Sequence, residues 1–462
     1  MVTVASDVSR DAIVIVPGIM GSELVDRVSG RVLWGLSDPR WYVSAWTSGQ
    51  DLRALKVTEA ERSGKTRLQA TRLLRSPAFA PLLRGIEPYR DLVRAAHKVA
   101  AHPAAVLEFP YDWRLSVAVT AKTFAEAASA HLDRWRHHPE GRRDARLVII
   151  AHSMGGLVAK YSSAMLGGAE RIRAVVTLGT PFYGAVKAVR MLATGSAGLP
   201  LPHRRLRNLA RTLPSIYDLL PSYRCVDEGS SARRLTVSDI VGLGADVDLA
   251  DTAALLQVEP SALTSRLYPV VGVGQPTMQS IKLRDGCAEV CYYTCEEAGS
   301  EGIKRVDRRG DSTVYRDAAL PSGASMSFLP QSHGMLARSH EAMAHVRAVI
   351  TDRPLGPPLS IDGEESVVGL DLPDVVAAGT SFSVKVSNAD PTAVSLRVRD
   401  GVGQEIQYVR KLTVLEGAIT ARLTLSQPGI FRVEAEHGSY SPVSQLLLVT
   451  PDAESSGDAA DV

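Results

Sequence analysis

The sequence has few cysteines, no long apolar run and almost no excess of either charge. Four cysteines in 462 residues are too few for a disulfide-rich secreted scaffold. No stretch approaches the ~20 apolar residues that a membrane-spanning helix needs. The formal net charge of +2 gives no general attraction to nucleic acid or acidic lipid, so we expect no nucleic-acid partner. The composition is that of an ordinary globular protein, so the function has to be inferred from sequence motifs.

The cysteines do not form a recognisable metal site. Cys287, Cys291 and Cys295 recur every fourth residue, and Cys225 stands apart. Zinc ligands more often occur as two pairs with short gaps, and nothing nearby supplies a second pair. We therefore expect no metal and no cofactor, and interpret the cysteines as reduced thiols, with one disulfide as the alternative. The first eleven residues resemble no signal peptide, so the sequence predicts a cytoplasmic protein.

A tight turn around Ser153 is the most informative feature of the chain. Residues 146–150 form an apolar, β-branched run suited to a strand buried on both faces. The following Ala-His-Ser-Met-Gly, residues 151–155, is a variant of the strand-to-helix turn that presents the serine nucleophile of α/β-hydrolases. Its small residues let strand and helix approach closely, which a serine that merely caps a helix would not require. The pattern predicts a serine enzyme.

Strand and helix patterns alternate through the first part of the chain. Buried-strand patterns cover residues 11–16, 104–109, 146–150 and 172–178, and amphipathic helical patterns cover 87–101 and 122–138. This alternation predicts an α/β fold, a mostly parallel sheet flanked by helices. Between about residues 186 and 264 it gives way to a segment rich in Gly, Pro and Arg, which we interpret as a lid or cap insertion.

The composition and the hydrophobic pattern of the sequence change after residue 353. Residues 354–365 have the composition of a stiff Pro- and Gly-rich linker. Short alternating runs over residues 366–450 predict an antiparallel, immunoglobulin-like β-sandwich. We therefore predict an α/β-hydrolase catalytic domain over 1–353, this sandwich, and a disordered acidic tail over 451–462. A protein partner for the sandwich is a hypothesis that the sequence leaves open.

The serine nucleophile of this fold takes its acid and then its base from later in the chain. Among 11 histidines, His333 lies in a loop-like segment just before a helical pattern, and we predict that it is the general base. Asp311 follows a glycine and precedes small hydroxyl residues. We predict that its carboxylate orients the imidazole, with Asp285 and Asp307 as the competing candidates.

Acyl transfer also needs N–H donors for the oxyanion that develops during attack. One is the backbone N–H of Met154, which follows the nucleophile. The second is expected from the glycine-flanked loop after the first strand, residues 17–22. Met20 is the predicted donor there, and Ile19 is the alternative.

Several segments together resemble the lecithin:cholesterol acyltransferase family, which includes phospholipid:diacylglycerol acyltransferases and a lysosomal-type phospholipase A2. They lie in order within roughly residues 12–350, at 16–22 (VPGIMGS), 109–114 (FPYDWR), 151–156 (AHSMGG), 179–182 (GTPF), 213–221 (LPSIYDLLP) and 310–314 (GDSTV). The resemblance implies that Ser153, Asp311 and His333 form the triad and that Met20 and Met154 form the oxyanion hole. Ser312 stands where the family usually has glycine.

The family moves an acyl chain from a glycerophospholipid through the serine to a sterol, another alcohol or water. The resemblance therefore implies a serine-dependent O-acyltransferase or phospholipase A-type lipase in lipid metabolism, whose partner is a lipid ester. Trp34 and Trp41 lie where the family keeps its lid, and we predict that they contact substrate. The basic stretch 203–211 could lie peripherally on an anionic membrane surface or form a solvated face of the cap.

Two other classes of function are open on the sequence alone. One is a catalytically silent, hydrolase-fold scaffold that acts through its β-sandwich, although silent relatives usually lose a triad member. The other is a general carboxylesterase or peptidase of the same architecture. Fluorophosphonate labelling separates the first from an enzyme, and a panel of short and long acyl esters tests the second.

Overall fold

The computed structural model describes residues 8–35, 50–75, 78–80, 84–86, 89–167, 170–195, 203–255, 264–284, 286–299, 302–324, 326–355, 367–401, 403–410, 412–415, 418–437 and 441–451. Trp41, Asp285, most of the predicted linker and almost all of the predicted acidic tail lie outside these residues. Within them, no helix combines the length and the apolar character needed to span a bilayer.

The elements of the first 353 residues follow the predicted alternation. The strands are β1 (Ala12–Val16), β2 (Ser22–Asp26), β3 (Val32–Trp34), β4 (Leu68–Leu73), β5 (Ala78–Ala80), β6 (Arg84–Ile86), β7 (Val106–Glu108), β8 (Leu147–His152), β9 (Ile172–Leu178), β10 (Val226–Asp227), β11 (Ala232–Arg233), β12 (Leu267–Gly272), β13 (Ser280–Arg284), β14 (Cys287–Cys291), β15 (Thr294–Glu297), β16 (Ile303–Val306) and β17 (Ser327–Leu329). The α-helices are α1 (Gln50–Ala54), α2 (Glu59–Arg62), α3 (Arg90–Val99), α4 (Val117–Arg136), α5 (Met154–Ser162), α6 (Val186–Thr194), α7 (His203–Ala210), α8 (Pro214–Asp218), α9 (Val237–Gly242), α10 (Val247–Leu255) and α11 (His340–Ile350).

A parallel sheet forms the centre of this unit. Its strand order is β17-β12-β9-β8-β1-β7, and every neighbouring pair runs parallel. Strand β8 lies inside the sheet and is buried along its whole length, as its continuous apolar run predicts. The carboxyl ends of the strands meet at one edge, which is where open α/β sheets bind their ligands.

Alternate residues of the central strands face two different layers of helices. Val14 and Ile149 share a core with residues of α4 and α5, whereas Ile13 and Val148 pack with residues of α3 and α11. Helix α4 begins earlier than predicted because Ser116 caps it, its hydroxyl accepting the Val119 N–H. The predicted α/β-hydrolase architecture is confirmed.

The segment after β9 contains the cap helices α6 to α10. Helix α7 buries Leu206 and Leu209 completely and exposes Arg204 and Arg205. The basic stretch of the sequence is thus an amphipathic helix whose apolar side belongs to the cap. Its basic side faces outward, as both interpretations of this stretch expect.

The C-terminal region forms two packed sheets. Its strands are β18 (Gly369–Asp371), β19 (Val375–Ala377), β20 (Ser381–Ser387), β21 (Val394–Asp400), β22 (Glu405–Val409), β23 (Thr413–Leu415), β24 (Ala418–Thr424), β25 (Gly429–His437) and β26 (Val443–Thr450). The sheet orders are β18-β20-β24-β23 and β19-β26-β25-β21-β22. Every ladder is antiparallel except β19 with β26, which is parallel. Inward residues such as Val384, Leu396, Val433 and Leu447 fill a separate core, so the predicted sandwich is confirmed.

The four cysteines are free thiols. The fourfold repeat lies on two strands, with Cys287 and Cys291 at the ends of β14 and Cys295 on β15. Among the described residues, no group of three or more His, Cys, Asp or Glu side chains could hold a metal ion.

Candidate active site

Ser153 lies between the end of β8 and the start of α5, in a backbone conformation that few side chains adopt. Its φ is 53° and its ψ −126°, a strained turn that holds the hydroxyl clear of the strand. Neighbouring glycines make the turn sterically feasible. A Cβ on Gly18 would lie 2.9 Å from the Ser153 Cβ, and one on Gly155 would lie 2.5 Å from the Pro17 carbonyl oxygen. The small residues seen in the sequence are therefore needed for close packing.

The structure brings Ser153, His333 and Asp311 together in one hydrogen-bonded chain. His333 Nε2 lies 2.8 Å from Ser153 Oγ, and His333 Nδ1 lies 2.6 Å from Asp311 Oδ2. With the Nδ1 proton donated to Asp311, Nε2 is free to accept the serine proton. Asp307, a competing candidate, instead accepts hydrogen bonds from Gln279 Nε2 and the Arg309 N–H.

The Asp311 carboxylate is fixed by its own loop. Its Oδ1 accepts the N–H groups of Thr313 and Val314 at 2.9 and 2.7 Å, which leaves Oδ2 to face the imidazole. The His333 N–H donates to the Asp311 carbonyl oxygen at 2.8 Å, so the loops of acid and base are also joined through their backbones. Asp311 is 1% exposed, which shields the pairing from water.

Of the two predicted oxyanion donors, Met154 follows Ser153 directly, and Met20 belongs to the loop whose Gly18 packs against Ser153. Met154 is the first residue of α5, and the first N–H groups of a helix have no partner within it. Met20 has a φ of 62°, one of the few positive values for a residue other than glycine. A tight turn produces this conformation, since the Gly21 N–H bonds to the Gly18 carbonyl oxygen. Of the two predicted donors, Met20 therefore lies in backbone that is unusual for its residue type, whereas Met154 opens a regular helix.

Trp34 occupies a different kind of position from the lid residue that the sequence predicts. It is fully buried, and its indole N–H donates to the Met20 carbonyl oxygen at 2.7 Å. Its ring packs edge to face with Trp113, whose own N–H bonds to the Ser22 carbonyl oxygen. The two indole groups thus anchor the backbone of the loop that contains Met20 and Ser22. A side chain as fully buried as Trp34 is unsuited to a mobile lid over a substrate. A buried tryptophan with its N–H satisfied is a usual core arrangement.

His152 and Tyr89 form a second network that sequence reasoning missed. Tyr89 Oη accepts the Gly18 N–H at 2.9 Å and lies 2.8 Å from His152 Nδ1. His152 Nε2 lies 3.0 Å from the His333 carbonyl oxygen, so Nε2 carries the proton and Nδ1 accepts from Tyr89. Burial and the nearby His333 lower the pKa of His152 to about 3, which keeps it neutral. The network connects the loop of Gly18, the end of β8 and the loop of His333.

Residues 80–239 match the lecithin:cholesterol acyltransferase family. No curated protein matches the sequence. The structure of a Tle4–Tli4 complex is similar to this chain, with a TM-score of 0.48 and 14% sequence identity; the match covers 74% of this chain and 97% of the other. The structure of the Bacillus licheniformis lipase BlEst2 in its propeptide form has a TM-score of 0.36 and 9% sequence identity; the match covers 95% of this chain and 93% of the other.

The family match confirms the resemblance inferred from the motifs. The matched region contains Ser153 and ends before Asp311 and His333. Together with the fold, it supports a lipid esterase or acyltransferase of the α/β-hydrolase type.

The family motifs have clear structural roles around the triad. In the GTPF segment, Gly179 has a φ of 61°, and a Cβ there would lie 2.9 Å from Asp311 Oδ2 and 3.1 Å from His333 Nδ1. The Thr180 hydroxyl donates to the Ser153 carbonyl oxygen at 3.0 Å. This motif therefore packs directly against Ser153, Asp311 and His333.

The departure from the family at Ser312 also has a structural meaning. Its φ is 77°, in the left-handed region that glycine adopts without strain. The family glycine fits this backbone better than the serine found here. Arg309, two residues before Asp311, also has a positive φ, of 35°. The backbone is therefore strained on both sides of Asp311.

The FPYDWR motif fixes a neighbouring loop through its buried arginine. Arg114 is fully buried and bonds to both oxygens of Asp112 and to Glu61 Oε1. It also donates to the carbonyl oxygens of Leu55 and Lys56. Burial opposes its charge, yet the hydrogen bonds that Arg114 donates to Asp112 and Glu61 raise its pKa. The guanidinium thus fixes the α1–α2 region and takes no part in proton transfer.

A cavity of about 370 Å³ lies beyond the first turn of α5. Leu157, Phe182, Tyr183 and Asp218 are among the residues that line it. Asp218 Oδ2 accepts the Val117 N–H at 2.6 Å, and burial raises the pKa of this carboxyl to about 7. The cavity therefore contains an acid that can be neutral near physiological pH.

Proposed function

We propose that the protein is a serine-dependent acyl-ester hydrolase or O-acyltransferase that acts on a lipid ester of the glycerophospholipid type. The observation that carries this proposal is the hydrogen-bonded chain from Ser153 Oγ through His333 to Asp311, with distances of 2.8 and 2.6 Å. A solvated serine hydroxyl is a weak nucleophile, and this arrangement supplies the base that activates it. The match to the lecithin:cholesterol acyltransferase family supports a lipid ester as the substrate.

In the first half-reaction, Ser153 Oγ attacks the ester carbonyl carbon while His333 Nε2 takes the hydroxyl proton. Asp311 stabilises the imidazolium that results, and the N–H groups of Met20 and Met154 bind the oxyanion. When the tetrahedral intermediate collapses, the bond to the leaving alcohol breaks and His333 gives its proton to the leaving oxygen. The acyl chain is then held as an ester of Ser153.

In the second half-reaction, water or an alcohol attacks the acyl-Ser153 carbonyl and gives its proton to His333. Collapse returns that proton to Ser153 Oγ and releases a free fatty acid or a new ester. The scheme is of the ping-pong type, because the first product leaves before the acceptor reacts.

In this proposal the catalytic domain spans residues 1–353, with the cap insertion at about 186–264. Residues 366–450 form a separate immunoglobulin-like unit. The four free cysteines support a reducing compartment such as the cytoplasm.

Fluorophosphonate labelling of purified protein tests the nucleophile directly. Wild type should be labelled and should hydrolyse a soluble acyl ester, whereas Ser153→Ala should lose both activities and keep its fold. Ser163→Ala is a matched control, since Ser163 caps the same helix and bonds to the Lys160 carbonyl oxygen. Equal labelling of Ser153→Ala and wild type would reject Ser153.

Incubation with mixed glycerophospholipid vesicles tests the substrate and the acceptor. Mass spectrometry should detect lysophospholipid together with free fatty acid, or with a new ester when a long-chain alcohol is added. Turnover confined to short soluble esters would reject the lipid substrate and leave a general carboxylesterase.

A further inference from the structure

The C-terminal sheets contact the catalytic domain next to the proposed base. Ser332 Oγ donates to the Ser444 carbonyl oxygen at 2.6 Å. Gln331 Nε2 donates to the carbonyl oxygens of Ser441 and Pro442 at 3.1 and 3.2 Å. Gln331 is 2% exposed, so this contact is enclosed. The two residues immediately before His333 are thus both hydrogen-bonded to the start of β26 or the residues just before it.

A second contact reaches the loop of the proposed acid through Gln275. The backbone N–H and carbonyl of Gln275 pair with Gly310, the residue before Asp311, at 2.8 and 3.1 Å. The side chain of Gln275 donates to the Val368 carbonyl oxygen and accepts the Leu370 N–H, both at 3.0 Å. One buried side chain therefore connects strand β18 to the acid loop.

The two units are packed too closely at this point for a side chain on Gly369. A Cβ there would lie 2.8 Å from the Gly274 carbonyl oxygen and 3.0 Å from Arg309 Nη1. Arg309 Nη1 itself donates to the Gly274 carbonyl oxygen and to Ser387 Oγ, both at 3.0 Å. Around Gly369 the contact therefore combines close packing with a hydrogen-bonded arginine.

We propose that the C-terminal β-sandwich is a positioning element of the active site, with Gln275, Gln331 and Ser332 as the positioning residues. This inference rests on the proposed function. The sandwich holds the loops of Asp311 and His333 from outside and fixes their separation. Catalysis depends on that separation, because a displacement of about 1 Å can lower the rate about 100-fold.

The first test places a methyl group in the contact. Gly369→Ala lies in the sandwich and outside the triad, and its backbone φ is not in the left-handed region. We expect the rate of fluorophosphonate labelling and kcat to fall about 10- to 100-fold with little change in KM. Gly401→Ala is the matched control, since a Cβ there would have its nearest contact at 3.5 Å and should leave both rates unchanged.

The second test removes one hydrogen bond on the base side. Ser332→Ala should slow labelling, and Ser332→Thr, which keeps a hydroxyl, should restore most of the rate. Hydrogen exchange of the full-length chain provides a readout independent of activity. Peptides covering residues 309–314 and 331–336 should exchange faster in Gly369→Ala and Ser332→Ala than in wild type or Gly401→Ala.

The outcomes separate this inference from the proposed function. If wild type is not labelled, or Ser153→Ala is labelled equally, the proposed function fails. If wild type is labelled at Ser153 but Gly369→Ala and Ser332→Ala keep wild-type labelling rates and exchange, the positioning role is overturned. If Gly369→Ala does not fold, the pair Ser332→Ala and Ser332→Thr decides the question by the same measurements.

Discussion

His152 Nε2 lies 3.0 Å from the carbonyl oxygen of His333, so the residue beside the nucleophile also holds the backbone of the proposed base. The same imidazole contacts Tyr89, which in turn accepts the Gly18 N–H in the loop of the proposed oxyanion donor Met20. Three loops from distant parts of the sequence thus share one neutral, buried histidine.

The first prediction concerns this shared contact. His152→Leu should lower kcat about 10- to 100-fold and the free energy of unfolding by about 2–4 kcal/mol. The substitution leaves the Tyr89 hydroxyl proton without its acceptor and the His333 carbonyl oxygen without its donor. His152→Gln, whose amide can donate to the same carbonyl, should lose less of both. Steady-state kinetics and urea denaturation measure the two effects. Wild-type kcat in His152→Leu would show that the contact is not needed.

The second prediction concerns the support of the oxyanion loop. Trp34→Phe keeps an aromatic ring but removes the donor to the Met20 carbonyl oxygen. We expect kcat to fall up to about tenfold, because a hydrogen bond of this kind contributes about 0.5–1.5 kcal/mol. Trp113→Phe removes a similar bond to Ser22, farther from the predicted donor, and should affect kcat less. Equal loss in both variants would assign Trp34 to packing alone.

The third prediction contrasts a buried ion pair with an exposed one. Arg114→Leu leaves Glu61 and Asp112 without their buried cation and should lower the free energy of unfolding by about 3–5 kcal/mol. Arg142→Leu breaks the ion pair with Asp144, whose side chains are 57% and 71% exposed, and should change the free energy of unfolding by less than about 1 kcal/mol. Chemical denaturation of both variants measures the contrast. A similar small change in both would mean that the Arg114 cluster is not needed for stability.

Much of the catalytic domain could be predicted from local sequence patterns. The apolar run before Ser153 predicts β8, and the strand at 172–178 has the predicted bounds, because hydrophobic periodicity is a local property. The chain order of nucleophile, acid and base selected Ser153, Asp311 and His333, which the structure brings within hydrogen-bond distance.

The rest depends on tertiary contacts that periodicity does not encode. Nothing local to Tyr89 or Glu61 indicates that they will contact His152 and Arg114, since each pair is distant in sequence. The family resemblance predicts that Trp34 lies in a lid, and the sequence around it does not distinguish a lid residue from one buried in the core. The sandwich's contact with the acid and base loops arises from domain packing.

The fourth prediction follows from the conformation of Ser312. Ser312→Gly should raise the melting temperature or leave it unchanged, since a residue other than glycine in the left-handed region costs about 1–2 kcal/mol and glycine's own flexibility offsets about 0.5–1. Ser312→Ala should be no more stable than wild type, because it keeps the strain. Thermal unfolding of the three proteins tests this order. A glycine variant clearly less stable than wild type would contradict it.

The last prediction concerns Asp218, whose pKa burial raises from 3.8 to about 7. The unfolded chain loses this proton at lower pH than the folded chain, so the stability that Asp218 contributes is fully present below about pH 4 and is lost as pH rises to about 7. Asp218→Asn cannot ionise and keeps an acceptor for the Val117 N–H. Its gain over wild type should therefore grow between pH 4 and 7 and then level off, at no more than about 4 kcal/mol. Asp251→Asn, exposed on α10, should follow wild type at every pH. A gain for Asp218→Asn that does not vary with pH would show that the carboxyl ionises in the folded protein as it does in the unfolded chain.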